Sequence, residues 1–186
     1  AGHGRHSARV TGPGVGASKE GPAVSDLLSR IDGTKLYPPF LQALTALLDD
    51  ASKRGADFFV ISGFRTYGEQ QSLWMQGRVT PGKIVTNAKG GESAHNFGIA
   101  AALCRDGVLD RRGLQPDYAP EAYAILHDLA PKHGLIWGGD WKFRDNPHVQ
   151  MPHWVTARDL SPLRHCYELA GLVSVFQFLD LGAPPQ

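Results

Sequence analysis

Glycine and proline set the strongest constraint on the fold, because they divide this chain of 186 residues into short segments. The sequence contains 22 glycines and 13 prolines, and both residue types commonly end helices and strands. Between them, apolar residues at helical spacing predict a helix over Pro38–Arg54, and the run Asp57–Ser62 predicts a buried strand. A second helix is predicted over Tyr67–Gln76, which Gly77 closes, and a long loop follows over 78–92.

The remaining segments are equally short. The same signals predict a short helix over 24–31, a strand over Ile99–Cys104 with a hairpin turn at Asp106-Gly107, a helix over Pro120–His133, short strands over Leu135–Trp137 and His148–Met151, and a last apolar helix from Ser161 to about Leu181. Helices and strands that mix without a regular βαβ alternation predict an α+β fold.

Three regions are expected along the chain. Residues 1–22 are rich in Gly, Ser, Ala and Pro and are expected to be a flexible segment, and residues 23–158 are expected to form one domain. Within 159–186, the last helix is apolar almost all round and must be covered. Packing on the domain core is the expected cover, and docking of a protein partner is the alternative.

Composition excludes several classes of protein. Nineteen Lys and Arg against eighteen Asp and Glu give a net charge of +1, which argues against nucleic-acid binding as the main task. Two cysteines cannot build a disulfide framework or a cysteine-rich zinc site. No secretory signal is visible at the N-terminus, and the longest apolar stretch, Leu169–Leu181, is too short to span a bilayer. Eight histidines leave metal binding and general-base chemistry open.

Two polar, glycine-rich segments concentrate the candidate chemistry. One contains His95, and the other contains Asp145 and His148 across a proline-fixed turn. Asp145 suits a general base beside a metal-bound His148, but it equally suits a turn in which Asp-Asn-Pro caps its own backbone. Arg65 follows the predicted strand over Asp57–Ser62, where it suits recognition of a carboxylate or an oxyanion, and a surface salt bridge is the alternative.

Three motifs resemble those of the zinc-dependent peptidoglycan peptidases of the M15 family. They are S-G-F-R-T-Y-G-E-Q, G-K-I-V-T-N-A-K-G-G-E-S-A-H-N-F-G-I-A and G-L-I-W-G-G-D-W-K-F-R-D-N-P-H-V-Q. The likeness runs from about Leu36 to Gln150 and is greatest to the L-alanyl-D-glutamate endopeptidases of phage endolysins and bacterial wall hydrolases. The resemblance implies a small, mainly antiparallel sheet flanked by helices, the Hedgehog/D-Ala-D-Ala peptidase-like fold.

The resemblance also implies roles for individual residues. His95 and His148 match zinc ligands of the family, and Asp145 matches the carboxylate that activates the zinc-bound water. Arg65 matches an arginine that helps to hold the substrate or the developing oxyanion. Three further residues match polar or aromatic positions of the family's cleft that take part in substrate binding: Gln70, Ser93 and Trp137.

One position departs from the family pattern. The family has a third ligand, an aspartate, seven residues after its first histidine, and that position is Ala102 here. Because catalytic zinc normally has three protein ligands, the two histidines should hold Zn²⁺ weakly. Three explanations stand: a deliberate replacement of the aspartate, a natural pseudo-peptidase that binds without cleaving, or a ligand from Glu92, Cys104 or Asp106.

The expected function is hydrolysis of peptidoglycan stem peptides at the cell wall, at the L-Ala–D-Glu bond, with little or no turnover because of Ala102. A D,D- or L,D-carboxypeptidase and a non-catalytic wall-binding module are the alternatives. Stem peptides are the expected partners, and neither nucleic acid nor a membrane span is expected.

Overall fold

A computed structural model describes residues 22–107 and 116–182. The expectation of a flexible segment over 1–22 therefore lies, apart from Pro22, outside the described residues. The helices are α1 Val24–Leu27, α2 Pro38–Lys53, α3 Tyr67–Met75, α4 Ile125–Lys132 and α5 Ser161–Asp180. The strands are β1 Phe58–Ser62, β2 Ala100–Asp106, β3 Pro116–Asp117, β4 Ile136–Trp137 and β5 His148–Gln150.

The five strands form one antiparallel sheet with β2 at its centre. The strand order is β1-β2-β5-β4, and β3 pairs with the far end of β2. The register aligns Ser62 of β1, Ala102 of β2 and His148 of β5 across three neighbouring strands. Since directly opposed residues of an antiparallel pair share a face of the sheet, these three side chains form one row. The predicted α+β class with a small antiparallel sheet is confirmed.

Helix α2 supplies a large part of the core. Its first turn begins with Pro38, a residue that suits this position because its missing N–H has no partner there anyway. The residues Phe40, Leu44, Leu47, Leu48 and Ala51 face inwards and are buried, and α2 contacts β1 and α4. The predicted helix over Pro38–Arg54 is confirmed to within one residue, because its apolar stripe is continuous.

Several predicted elements are shorter than expected or begin differently. The helix predicted over 24–31 is helical only over Val24–Leu27, and the one predicted over Pro120–His133 begins as a 3-10 turn before α4. Strand β2 does pair with the next described strand, but Asp106 lies opposite Pro116, so Asp106-Gly107 is not the two-residue turn of a hairpin.

The last helix packs on the domain through both of its halves, since Leu163 and Val175 are fully buried and Tyr167 stacks on Tyr67 with 4.8 Å between ring centroids. Phe176 contacts Tyr37 with 5.5 Å between ring centroids, and the Tyr37 hydroxyl donates to Asp180 at 2.8 Å. The helix is interrupted at Gly171, which has φ +67°. Leu169 and Val173 next to this break are exposed, and docking of a protein partner there stays a prediction. Within the described residues, no helix combines the length and the hydropathy that crossing a membrane requires.

Gly98 links the turn that holds His95 to β2, and its backbone conformation disfavours any residue with a side chain at this position. It has φ +69°, and a Cβ added there would overlap the Lys35 carbonyl oxygen. Its own carbonyl accepts a hydrogen bond from the Tyr37 N–H at 2.9 Å. The start of α2 therefore packs directly on the segment that carries the site.

Gly98→Ala should lower the free energy of unfolding by about 2–4 kcal/mol, because it adds a backbone clash to the strain of a positive φ. Gly134→Ala is the matched control. Gly134 has the same φ of +69°, and a Cβ added there would have no neighbour within 4 Å, so this variant should lose only about 1 kcal/mol. Urea unfolding of both variants measures the difference, and equal losses would contradict the packing argument.

Candidate functional site

Two buried histidines line one end of a cleft of about 330 Å³. His95 belongs to the 3-10 turn Ala94–Phe97 before β2, and His148 opens β5. Their side chains are almost fully buried, and their ring centroids lie 5.1 Å apart. Folding brings these histidines together with four more of the residues that the sequence singled out, since the same cleft is lined by Arg65, Ser93, Ala102 and Asp145.

The hydrogen bonds of His95 fix which ring nitrogen carries the proton. Its Nδ1 lies 2.6 Å from the Gly63 carbonyl oxygen, and because a carbonyl only accepts, Nδ1 must donate. The Nε2 atom then keeps its lone pair, which faces Nη2 of Arg65 at 3.1 Å. In this arrangement Nε2 accepts a hydrogen bond from the guanidinium, at the atom that would bind a metal.

Gln150 fixes the tautomer of His148 in the same way. The side-chain nitrogen of Gln150 donates to the carbonyls of Met151 and Trp154, so its Oε1 must accept. That oxygen lies 2.8 Å from His148 Nε2, which is therefore protonated. The lone pair of His148 is left on Nδ1, 4.0 Å from an Asp145 carboxylate oxygen.

Burial keeps both imidazoles neutral. Desolvation, reinforced by the nearby Arg65 cation, lowers the pKa of His95 well below its usual value. Burial also lowers the pKa of His148, although the Asp145 carboxylate opposes this effect. Neutral imidazole is the form that binds a metal or accepts a hydrogen bond. The cleft thus holds two lone-pair donors at neutral pH.

Arg65 is held by three side-chain hydrogen bonds in the loop between β1 and α3. Its Nε donates to the Ser62 hydroxyl at 2.9 Å, Nη1 donates to Gln70 Oε1 at 2.9 Å, and Nη2 faces His95. A guanidinium carries five N–H groups, so two remain for a ligand. Arg65 is thus part of the cleft wall, held by these neutral partners and not by the surface salt bridge of the alternative.

Gln70 has a different position from the one that the sequence suggests. Its side chain is completely buried, its oxygen holds Arg65, and its nitrogen donates to the Ala88 carbonyl at 2.9 Å. It orients Arg65 rather than presenting an atom to the cleft. Ser93 does line the cleft, and its hydroxyl accepts from the His95 N–H at 3.4 Å. A part for Ser93 in substrate binding stays a prediction.

The cleft wall next to His148 is formed by Trp141 instead of Trp137. The Trp141 ring lies 5.0 Å from the His148 ring and lines the cleft. Trp137 is buried, donates from Nε1 to the Asn146 carbonyl at 2.7 Å, and packs so tightly on Gly139 that any Cβ there would overlap its ring. It anchors the turn that leads to His148. The sequence prediction followed the W-G-G motif, which Trp137 begins, whereas Trp141 comes after Asp140 and lies outside that motif.

Asn96 is a functional position that sequence reasoning missed. It is completely buried, its Nδ2 donates to the carbonyls of Arg65 and Thr66, and its Oδ1 accepts from the Gly91 N–H at 2.9 Å. This amide joins the loop of Arg65 to the turn of His95. Its place directly after His95 was the available signal, but two of the four backbone groups that it binds, the carbonyls of Arg65 and Thr66, are distant in sequence.

Catalytic zinc normally uses three protein ligands, and the described side chains do not supply the third. Among them, no group of three His, Cys, Asp or Glu residues is arranged to hold a metal ion. Ala102 lies directly opposite His148, where a methyl group offers no donor. The described residues therefore do not fit a complete zinc site.

None of the three residues that the sequence offers as an alternative third ligand completes the metal site. Cys104 and Asp106 lie farther along β2 and are absent from the cleft lining. Glu92 does line the cleft, but its carboxylate accepts from the Lys89 N–H at 3.1 Å. Cys104 and Cys166 form no disulfide with each other.

Comparisons with known proteins agree on one family. The profile of the M15 family described as D-alanyl-D-alanine carboxypeptidase matches residues 86–151. The peptidoglycan L-alanyl-D-glutamate endopeptidase CwlK of Bacillus subtilis (strain 168) is 38% identical over 122 residues, which cover 62% of this chain and 73% of that protein.

Two solved structures are more distant. The L-Ala D-Glu endopeptidase ChiX of Serratia marcescens is 20% identical with a TM-score of 0.46, covering 64% of this chain and 82% of its own. A mutant of the vancomycin resistance D,D-pentapeptidase VanY, in complex with Zn(II), is 19% identical with a TM-score of 0.48, covering 70% of this chain and 78% of its own.

The sequence comparison decides the family. This chain shares more than a third of the aligned residues with CwlK over most of that protein's length, and it therefore belongs to the M15 family of peptidoglycan peptidases.

Proposed function

We propose that this chain has the site of a zinc-dependent L-alanyl-D-glutamate endopeptidase, acts on peptidoglycan stem peptides, and is impaired by Ala102. The observation that carries the proposal is the row Ser62–Ala102–His148 across the sheet. A carboxylate at position 102 would face the cleft beside His148, since directly opposed Cβ atoms lie about 4.5–5.5 Å apart. The similarity to CwlK supports the choice of bond.

Two residues of the cleft have chemistry suited to peptide hydrolysis. The Asp145 side chain is 54% exposed, so its carboxylate is accessible to a water molecule and suits the role of general base. Arg65 is mostly buried and keeps two N–H groups free, which suits a carbonyl oxygen that gains negative charge. These assignments rest on the cleft geometry and the family likeness together.

Two other functions have some support. The family profile is described as a D-alanyl-D-alanine carboxypeptidase, which favours release of a terminal D-Ala. A wall-binding module without turnover is favoured by Ala102, which offers no metal ligand opposite His148 while Arg65 and the rest of the cleft wall stay in place. All three functions imply action at the cell wall, and we infer that the protein works outside the cytoplasmic membrane.

Ala102→Asp should raise the affinity for Zn²⁺ by at least about 100-fold, because a coordinating carboxylate adds both a bond and a charge, and even residues that only orient a ligand change affinity about 10–100-fold. It should also convert a weakly active protein into one that releases peptides from purified cell walls. Competition with a zinc-binding dye measures affinity, and chromatography of the released muropeptides identifies the bond.

Ala102→Asn is the matched control, since it has the same shape without the charge and should recover much less of both properties. Equal lytic activity of Ala102→Asp and the unaltered chain would remove Ala102 as the cause of impairment. Release of terminal D-Ala alone would contradict the endopeptidase assignment and support the carboxypeptidase.

Asp145→Asn in the Ala102→Asp background should lower kcat by about 100-fold or more, the usual contribution of a positioned general base. Zinc affinity should stay within a few-fold, because Asp145 is assigned to proton transfer and not to the metal. Steady-state kinetics on a defined muropeptide, with zinc titration of the same samples, separates the two roles. Loss of zinc in this variant would instead make Asp145 a ligand.

A further inference from the structure

A second and larger cavity adjoins the histidine cleft. Its volume is about 670 Å³, and it lies between the segment after α1, the end of β1 and helix α3. Arg65 and Leu73 line both cavities, so they form the shared wall. A peptide that bound across the two histidines and extended past these two side chains would reach the second cavity.

The second cavity combines apolar walls with a cationic rim. Ile61, Phe64 and Leu73 contribute aliphatic and aromatic surface, and Arg30 and Lys35 stand at the opening with exposed side chains. Such a surface suits a ligand that has an aliphatic stem and an anionic end.

The two carboxylates in this cavity leave Arg30 available, whereas Lys35 has an ion-pair partner. Glu69 is tied to the N-terminus of α3, where it accepts from the Thr66 N–H at 2.7 Å. Asp32 accepts from the Thr34 N–H and hydroxyl and forms an exposed ion pair with Lys35 at 3.5 Å. Within residues 22–107 and 116–182, the Arg30 side chain makes no hydrogen bond or ion pair. Of the two rim cations, Arg30 is therefore the more available to bind an anion.

We propose that this cavity is a subsite for the acidic residue of the substrate, with Arg30 and Lys35 binding its carboxylate. The proposal rests on the proposed function for its substrate class. In an L-alanyl-D-glutamyl peptide, the residue on one side of the bond is small and apolar, and the residue on the other side carries a carboxylate. The two-cavity cleft matches this asymmetry, since Arg30 and Lys35 line the larger cavity and not the smaller one.

The test measures binding to the metal-free, unaltered chain, so it does not depend on turnover. The probes are a synthetic peptide that contains L-Ala-D-Glu with free glutamate carboxylates and the same peptide with these groups amidated. We expect tighter binding of the free acid by isothermal titration. Arg30→Gln and Lys35→Gln should each weaken binding of the free acid about three- to tenfold and leave the amidated peptide unchanged.

Arg54→Gln is the matched control, because Arg54 is an exposed cation that pairs with Asp50 at the end of α2 and lines neither cavity. It should leave both affinities unchanged. Raised salt should reduce the preference for the free acid, because exposed charges are screened. The proposal is overturned by equal affinity for the two peptides, by equal weakening of both peptides in the variants, or by no binding at millimolar peptide.

Hydrolysis by the Ala102→Asp variant keeps the two proposals separable. If that variant cleaves wall peptides and Arg30→Gln leaves its KM for free and amidated substrates unchanged, the subsite is wrong and the proposed function stands. If the variant fails to cleave while the unaltered chain keeps its charge-dependent preference, the enzyme assignment fails and the subsite stands.

Discussion

The register of the central strand β2 determines where the candidate groups on the sheet lie. Its pairing with β1 and β5 puts Ser62, Ala102 and His148 in one row, and the side chains of a strand alternate between faces. A slip of β2 by one residue would turn Ala102 to the opposite face and remove it from the cleft that it lines with His148. The register is held from outside the strand as well, since the Leu103 N–H donates to the Pro147 carbonyl at 2.7 Å. The contacts that fix the register of β2 therefore also fix which of its side chains face the cleft.

The second level of organisation is a set of buried polar groups that orient the side chains of the site. Gln150 fixes the proton on His148, the Gly63 carbonyl fixes the proton on His95, and Asn96 joins the turn of His95 to the loop of Arg65. Because these groups are buried, their hydrogen bonds must be satisfied inside the protein. The lone pairs of the two imidazoles are thus set by the fold before any ligand arrives.

Sequence reasoning succeeded where one local signal dominates. Helix α2 has a continuous apolar stripe that ends before Gly55, and Gly77 follows helix α3, so both were predicted nearly to the residue. His95 and His148 were singled out through their motifs and do line one cleft, and their role as metal ligands stays a prediction. Gln70 and Trp137 were placed differently, because only the packing around Arg65 and Gly139 decides whether a polar or aromatic side chain faces the cleft or the interior. The break at Gly171 was missed because the surrounding residues are mostly apolar.

Ala102 changes the electrostatics of the cleft far more than it changes the fold. The hydrogen bonds of β2 come from the backbone, so a methyl group in this strand costs the sheet little. The cleft, however, keeps the Arg65 cation next to His95 without an anion in the middle of the row. A divalent cation entering there would meet the Arg65 cation, two imidazoles and the exposed Asp145 carboxylate, but no carboxylate at position 102. An anionic peptide would meet Arg65 and, farther along, Arg30 and Lys35. The same alanine that disfavours the metal is therefore expected to leave the binding of an acidic peptide intact.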